Sequence, residues 1–388
     1  MAAIVRRAGF DTLIRERRLR HTLSGLLLAL ALCAGPAGAD IVDEIVLPPG
    51  FQIETYAEVP NARSLVSGDA GTLFVSNRRE SSIYAVVPAE SDGASPRVIE
   101  IDSGLNMPNG IAFNAGDLYV AEVSRVLRYR GIESRLDSPP EPEILDIELP
   151  DERHHGWRYI AFGPDGKLYV SIGAPCNVCD REGFAEIVRM DSDGSNRETF
   201  ARGIRNSVGM TWHPQTGDLW FTDNGRDMLG DDLPPCELNH APRAGMHFGF
   251  PQCHGGDISD PEFGSDGSCG QFVAPAQKLG PHVAPLGLRF YTGEQFPSEY
   301  RGQLFIAEHG SWNRSEKIGY RITLVRIVDD EAVSYETFAE GWLEGDKVSG
   351  RPADLEVMPD GSLIVSDDMA GRLYRISYAG APVVGRTD

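Results

Sequence analysis

The residues of this chain best suited to chemistry are histidines and arginines placed just before short apolar runs. His154 and His155 lie ahead of Arg158 in the stretch HHGWRYIAFGPDGKLYVSIGAP. An imidazole titrates near neutrality, so either histidine could take a proton from a hydroxyl at physiological pH. Arg63, Arg205 with its neighbour Asn206, and Arg351 hold comparable places before other apolar runs. Guanidinium groups brought together repel one another unless something negative sits between them. These residue types therefore point to an anionic ligand beside a base, provided the fold brings them to one place.

The elements that would do so are written as a repeat. A Gly-x-Leu-aromatic-Val pattern recurs as GTLFV from Gly71, GDLYV from Gly116, GKLYV from Gly166, GDLWF from Gly217, GQLFI from Gly302 and GSLIV from Gly361. Each follows a matching strand, SLVS, GIAF, YIAF, GMTW, GLRF and DLEV in turn. Successive glycines are 45, 50, 51, 85 and 59 residues apart. Four-stranded blades recur at about 40–50 residues, so three intervals fit directly and two carry insertions. The spacing predicts an all-β, six-bladed β-propeller.

In such a fold the segment before each innermost strand and the segment after the next strand meet around one mouth. The first set contains Arg63, Asn109, His155, Arg158, Arg205, Asn206, Pro285 and Arg351. The second contains Asn77–Arg79, Glu122, the 173–180 loop, the 223–227 turn, the run from His309 through Trp312 to Arg314, and Asp367–Asp368. Asp, Asn and Gly are ordinary turn formers, so Asp367, Asp368, Glu122, Arg78 and Arg79 are read as solvated turn charges.

The chain opens with six arginines among its first 20 residues, an apolar run from Leu23 to Ala34, and Ala37-Gly38-Ala39. The run is too short for a permanent span, and this is the layout of a secretory signal. We expect residues 1–39 to be a signal peptide cleaved after Ala39, and residues 40–388 to be a single propeller domain in the periplasm or secreted. No later apolar run is long enough to cross a bilayer. The net charge of −21 makes nucleic acid an unsuitable partner.

Five cysteines follow the leader. In an exported protein disulfides are the default. Cys253 and Cys269 bracket the polar run HGGDISDPEFGSDGS, within an insertion expected around 233–285, and a bridge would close its base. Cys176-Asn-Val-Cys179 favours a local disulfide over half a metal site. Cys236 is left over or competes for one of these partners.

The segments HHGWRYIAFGPDGKLYVSIGAPCNVC, GIRNSVGMTWHP, FTDNGRD, HGSWNR and GRPADLEVMPDGSLIVSDD resemble the soluble pyrroloquinoline quinone (PQQ)-dependent sugar dehydrogenases, in particular the L-sorbosone dehydrogenase-like branch. The likeness runs from Leu47 to Tyr378. It implies PQQ and Ca2+ as cofactors, a sugar as substrate and an external electron acceptor. It assigns His155 rather than His154 as general base and Arg205 as its catalytic partner. Arg63, Arg205, Asn206, Trp312, Arg314 and Arg351 would hold the quinone, and the backbone carbonyls of Gly225 and Arg226 the calcium. Glucose-oxidising members of the family carry an acidic residue soon after the glycine of the SIG-like segment and a lysine near the fifth repeat. Here Ala174 follows Gly173, and Asp180 and Arg314 are the replacements available.

Two other functions fit the same fold. A calcium-dependent six-bladed lactonase would hold its metal with side chains, for which Glu122, Asn206, Asp223 and Asp367 could serve. A non-catalytic propeller would bind a ligand at its mouth without turnover.

Overall fold

The structure, a computed structural model, describes residues 41–89, 91 and 93–380. The expected leader and its cleavage point lie outside the described residues. The chain forms six blades of four antiparallel strands each, the third extended by a fifth strand. Their innermost strands are Leu65–Ser67, Gly110–Asn114, Ile160–Phe162, Met210–Trp212, Pro285–Phe290 and Pro352–Val357. The strands that follow are Leu73–Ser76, Asp117–Ala121, Leu168–Ile172, Leu219–Asp223, Leu304–Glu308 and Leu363–Asp367, which are the six repeats.

The pairing register is the same in every blade. Leu65 faces Val75, Ile111 faces Val120, Ile160 faces Val170, Met210 faces Phe221, Leu288 faces Ile306 and Leu355 faces Val365. Side chains alternate across a strand, and the repeat uses both faces. Leu73 and Val75 pack against the last blade, while Phe74 between them packs against the second. Leu118 and Val120 face the first blade and Tyr119 the third. The same division holds for Trp220 and Phe305. A blade buried on both faces reads as a continuous apolar run, which is why the pattern shows in the sequence.

The ring closes through a strand outside the repeat. Phe51–Glu58 pairs antiparallel with Arg372–Tyr378, so the beginning of the described chain completes the last blade. Phe51 lies edge-on to Phe296, Tyr300, Phe338 and Tyr378, with centroids 4.7 to 5.2 Å away. In the fourth blade Pro235–Ala241 and Gln277–Pro281 are the outer strands. Between them the chain makes an excursion that lends Met246–His247 as a parallel strand to the third blade and carries the Cys253–Cys269 disulfide. Cys176 and Cys179 are also bonded, and Cys236 is free and buried. Among the described residues no helix is long and apolar enough to cross a membrane.

Candidate active site

The segments leading into the inner strands and those leaving the second strands enclose a cavity of about 330 Å³. Its wall includes Arg63, His154, His155, Arg205, Asn206, Gly225, Trp312 and Arg351, and so unites most of the residues singled out in the sequence. Arg78, Trp157, Asp227, His282 and His309 join them.

His155 is buried and has a left-handed backbone, φ 48°. Its Nδ1 lies 2.8 Å from the Ala174 carbonyl oxygen. A carbonyl only accepts, so Nδ1 carries the hydrogen and the lone pair is on Nε2. Burial, then the positive charge of Arg205, then His154 push the ring well below the ordinary histidine pKa. His155 is therefore a neutral imidazole at pH 7. Gly173 makes this packing possible, because a Cβ there would meet the His155 Cβ at 2.6 Å. Gly173→Ala is expected to displace the imidazole and cut turnover about tenfold or more with a small loss of stability. Parallel rate and melting measurements check this, since overpacking typically costs about 1–3 kcal/mol.

The arginines are neutralised from within more than the sequence suggested. Arg205 is buried and donates to the Asn177 and Asn224 carbonyls, to the Asn177 side chain, and to Asp227 at 3.0 Å. Arg63 donates to Asn109 Oδ1 at 3.1 Å and pairs with Asp368 at 2.5 Å. Asp368 also receives His309 Nε2 at 2.8 Å. Burial by itself would raise the Asp368 carboxyl, but His309 and Arg63 outweigh it and hold it far below the usual carboxylate range. Burial pushes His309 down to about 4. Arg351 donates Nε and Nη2 to the His309 and Gly310 carbonyls, both at 2.9 Å, which leaves its Nη1 for a ligand.

Several sequence expectations are corrected. Asp367 and Asp368 are not solvated: Asp367 is fully buried and accepts the backbone N–H groups of Arg351, Met369 and Ala370. Glu122 is buried against Arg125 and the Asn106 N–H. Asp223 accepts the N–H groups of Arg205 and Asn206 at 2.8 and 2.6 Å. Of the four side chains a lactonase would recruit, only Asn206 lines the cavity, because the acids cap backbone at the strand ends. Arg78 is half-buried rather than solvated, with its guanidinium 4.5 Å over the Trp157 ring. Arg314 turns away from the cavity to Asp232, and the Arg226 side chain to buried Asp260. Asp180 lines a separate cleft beside the third blade. Neither Asp180 nor Arg314 therefore supplies the replacement expected in the cavity. His309 belonged to the segments expected at the mouth and Trp157 was not singled out; neither the contact of Trp157 with Arg78 nor that of His309 with Asp368 was legible in the sequence.

The cavity thus sets a cationic wall next to a neutral, buried imidazole. Residues 143–375 match the family model described as glucose/sorbosone dehydrogenase, and the chain belongs to that family. It is 33% identical over 360 residues to an uncharacterized protein of Borreliella burgdorferi, covering 88% of this chain and 93% of that one. It is 25% identical over 191 residues to the aldose sugar dehydrogenase YliI of Escherichia coli, covering 47% and 45% of the two chains. Among solved structures, the holo PQQ domain of pyranose dehydrogenase from Coprinopsis cinerea superposes with a TM-score of 0.74 at 18% identity. That match covers 86% of this chain and 97% of the other. The soluble aldose sugar dehydrogenase of Escherichia coli gives 0.60 at 17% identity, covering 84% and 99%. At these identities the structural likeness speaks to the fold.

Proposed function

We propose that the protein is a PQQ-dependent sugar dehydrogenase that oxidises an aldose or a sorbosone-like sugar and passes the electrons to an external acceptor. The observation that carries this reading is the meeting of Arg63, Arg205, Asn206, Arg351 and Trp312 around one cavity with His155 in its neutral, Nε2-accepting form. The donor set fits a flat tricarboxylate, for which planar guanidinium groups are suited. Arg351 keeps N–H groups for it, Arg205 and Asn206 are held rigid by Asp223, and Trp312 offers an aromatic face. When bound, PQQ supplies the two-electron acceptor for the hydride of the sugar, which is chemistry no side chain here can perform.

The chain's own residues do the rest. His155 Nε2 takes the hydroxyl proton of the sugar, and the Ala174 carbonyl holds the ring in the tautomer that can accept it. Arg205, rigid and cationic, stabilises negative charge that develops beside it. Calcium would be held by the backbone carbonyls of Gly225 and Arg226, since a hard cation accepts backbone oxygen. Gly225 also leaves no room for a side chain, as a Cβ there would lie 2.8 Å from the Pro235 carbonyl oxygen. We further propose export by the 1–39 leader and a single propeller domain over 40–388.

Reconstitution of the purified chain with PQQ and calcium tests the reading. A shift in the quinone absorbance is expected, followed by dye reduction with one or more sugars of a panel of aldoses and sorbosone. Absence of both would remove the oxidoreductase assignment in favour of a propeller that only binds.

A further inference from the structure

The cavity has more positive charge than the proposed cofactors neutralise. Among its lining residues Arg63 is matched by Asp368 and Arg205 by Asp227, at 2.5 and 3.0 Å. The guanidinium groups of Arg78 and Arg351 make no ion pair with a carboxylate among the described residues, although Asp368 acts on both at longer range. Three cofactor carboxylates with one calcium ion bring a single net negative charge. Counting guanidinium and carboxylate groups, one positive charge remains in the loaded cavity, where low dielectric makes it felt.

That charge has a location. Arg351 is tied to the His309 and Gly310 carbonyls and lies 5.5 Å over Tyr320. Arg78 makes no hydrogen bond through its side chain among the described residues. It is steered instead by the Trp157 indole 4.5 Å beneath it, a cation–π contact that orients the guanidinium without using its five N–H groups. The same indole lies edge-on to His155, with ring centroids 6.1 Å apart. Arg78 and the base thus flank one aromatic ring. Burial first, then the nearby Arg63, Arg79 and Arg351, draw Arg78 down to about 10 against the opposing pull of Asp368.

We propose that the substrate is an anionic sugar, bearing a carboxylate or a phosphate, and that Arg78 binds that group while the reacting carbon lies at His155. The proposal rests on the reading of the cavity as a sugar-oxidising site and narrows its substrate class. Both groups offer paired oxygens to a planar fork, so glucuronate and glucose 6-phosphate serve as the two probes, with glucose as their neutral counterpart.

The test compares kcat/KM for the three sugars with the full chain reconstituted with PQQ and calcium. One anionic probe is expected to exceed glucose by about tenfold or more, through KM, and to lose that advantage at high salt. Preference for glucuronate over glucose 6-phosphate, or the reverse, names the carboxylate or the phosphate. Arg78→Gln is expected to lower the anionic-to-neutral ratio about tenfold, and Arg78→Lys to restore part of it; melting curves confirm that both variants fold. Equal rates for all three sugars would overturn the proposal, and so would an Arg78→Gln variant that loses PQQ affinity without changing the ratio. Should no sugar turn over, the dehydrogenase reading itself falls. Calorimetric titration of the same chain with glucuronate, glucose 6-phosphate and glucose then still decides whether Arg78 selects an anion.

Discussion

Replacing His155 with alanine is expected to lower kcat about a thousandfold in the reconstituted protein while PQQ still binds. General base catalysis typically contributes about 10²–10⁴ in rate. The His155 ring makes one hydrogen bond, Nδ1 to the Ala174 carbonyl at 2.8 Å, and its loss leaves the arginines of the cavity in place. Dye reduction gives the rate and quinone absorbance the binding. His154→Ala is the control, because His154 is the less buried of the pair and its ring centroid is only 4.2 Å from that of His155. Loss of turnover in His154→Ala with full activity in His155→Ala would transfer the role. The pH profile adds a separate check. A base is competent above its pKa, and the His155 pKa is depressed by burial, Arg205 and His154. The acidic limb of kcat/KM should therefore fall below the ordinary histidine value of about 6.5. A limb at or above that value would contradict the buried, neutral imidazole.

Asp368→Ala should produce the largest loss of stability of any single change at the site, about 3–5 kcal/mol, because it leaves Arg63 buried without its counter-ion. The Arg63 and Asp368 side chains are 4% and 12% exposed, so water cannot take over the pairing. A thermal melt should show a drop of several degrees, and the double change Arg63→Met with Asp368→Leu should recover much of it. The effect depends on pH in a defined direction. The folded-state pKa of Asp368 is depressed, so its stabilisation is complete above the unfolded carboxylate value of about 3.9 and is lost as pH falls through the folded value. Wild type and variant should differ fully at pH 7 and converge only in strong acid. His309 would lose its partner in the same variant, so a change in its environment, followed by NMR, would confirm that the dyad and not a remote defect is responsible.

How much of this could be read beforehand differs from residue to residue. The repeat announced itself because each blade is apolar on both faces: Leu73, Phe74 and Val75 are all buried, and so are their counterparts in the other five. The placing of Arg63, Arg205 and Arg351 at one mouth followed from the repeat, since position within a blade dictates position around the axis. The closing strand Phe51–Glu58 did not follow, because it lies outside the repeat and is assigned to the last blade only by pairing with Arg372–Tyr378. Asp367 and Asp368 looked like turn residues because an aspartate after a strand is most often solvated. Asp368 is instead held by Arg63, more than 300 positions away in the chain, and by His309 in the neighbouring blade, while Asp367 accepts the backbone N–H groups of Arg351, Met369 and Ala370.

The chain's own order of residues determined the propeller, the number of its blades and the set of side chains that could meet at the axis, because all of these depend on periodicity and on short-range spacing; that Cys236 is the cysteine left free was decided by the structure. Tertiary structure alone decided which of those side chains remain available. Arg314 and the Arg226 side chain are drawn to Asp232 and Asp260, Arg205 is matched by Asp227, and Arg78 is lifted out of solvent onto Trp157. The physical reason is that the state of a charge depends on what it is buried against, and those neighbours come from other strands and loops, in the case of Asp232 and Trp157 from other blades.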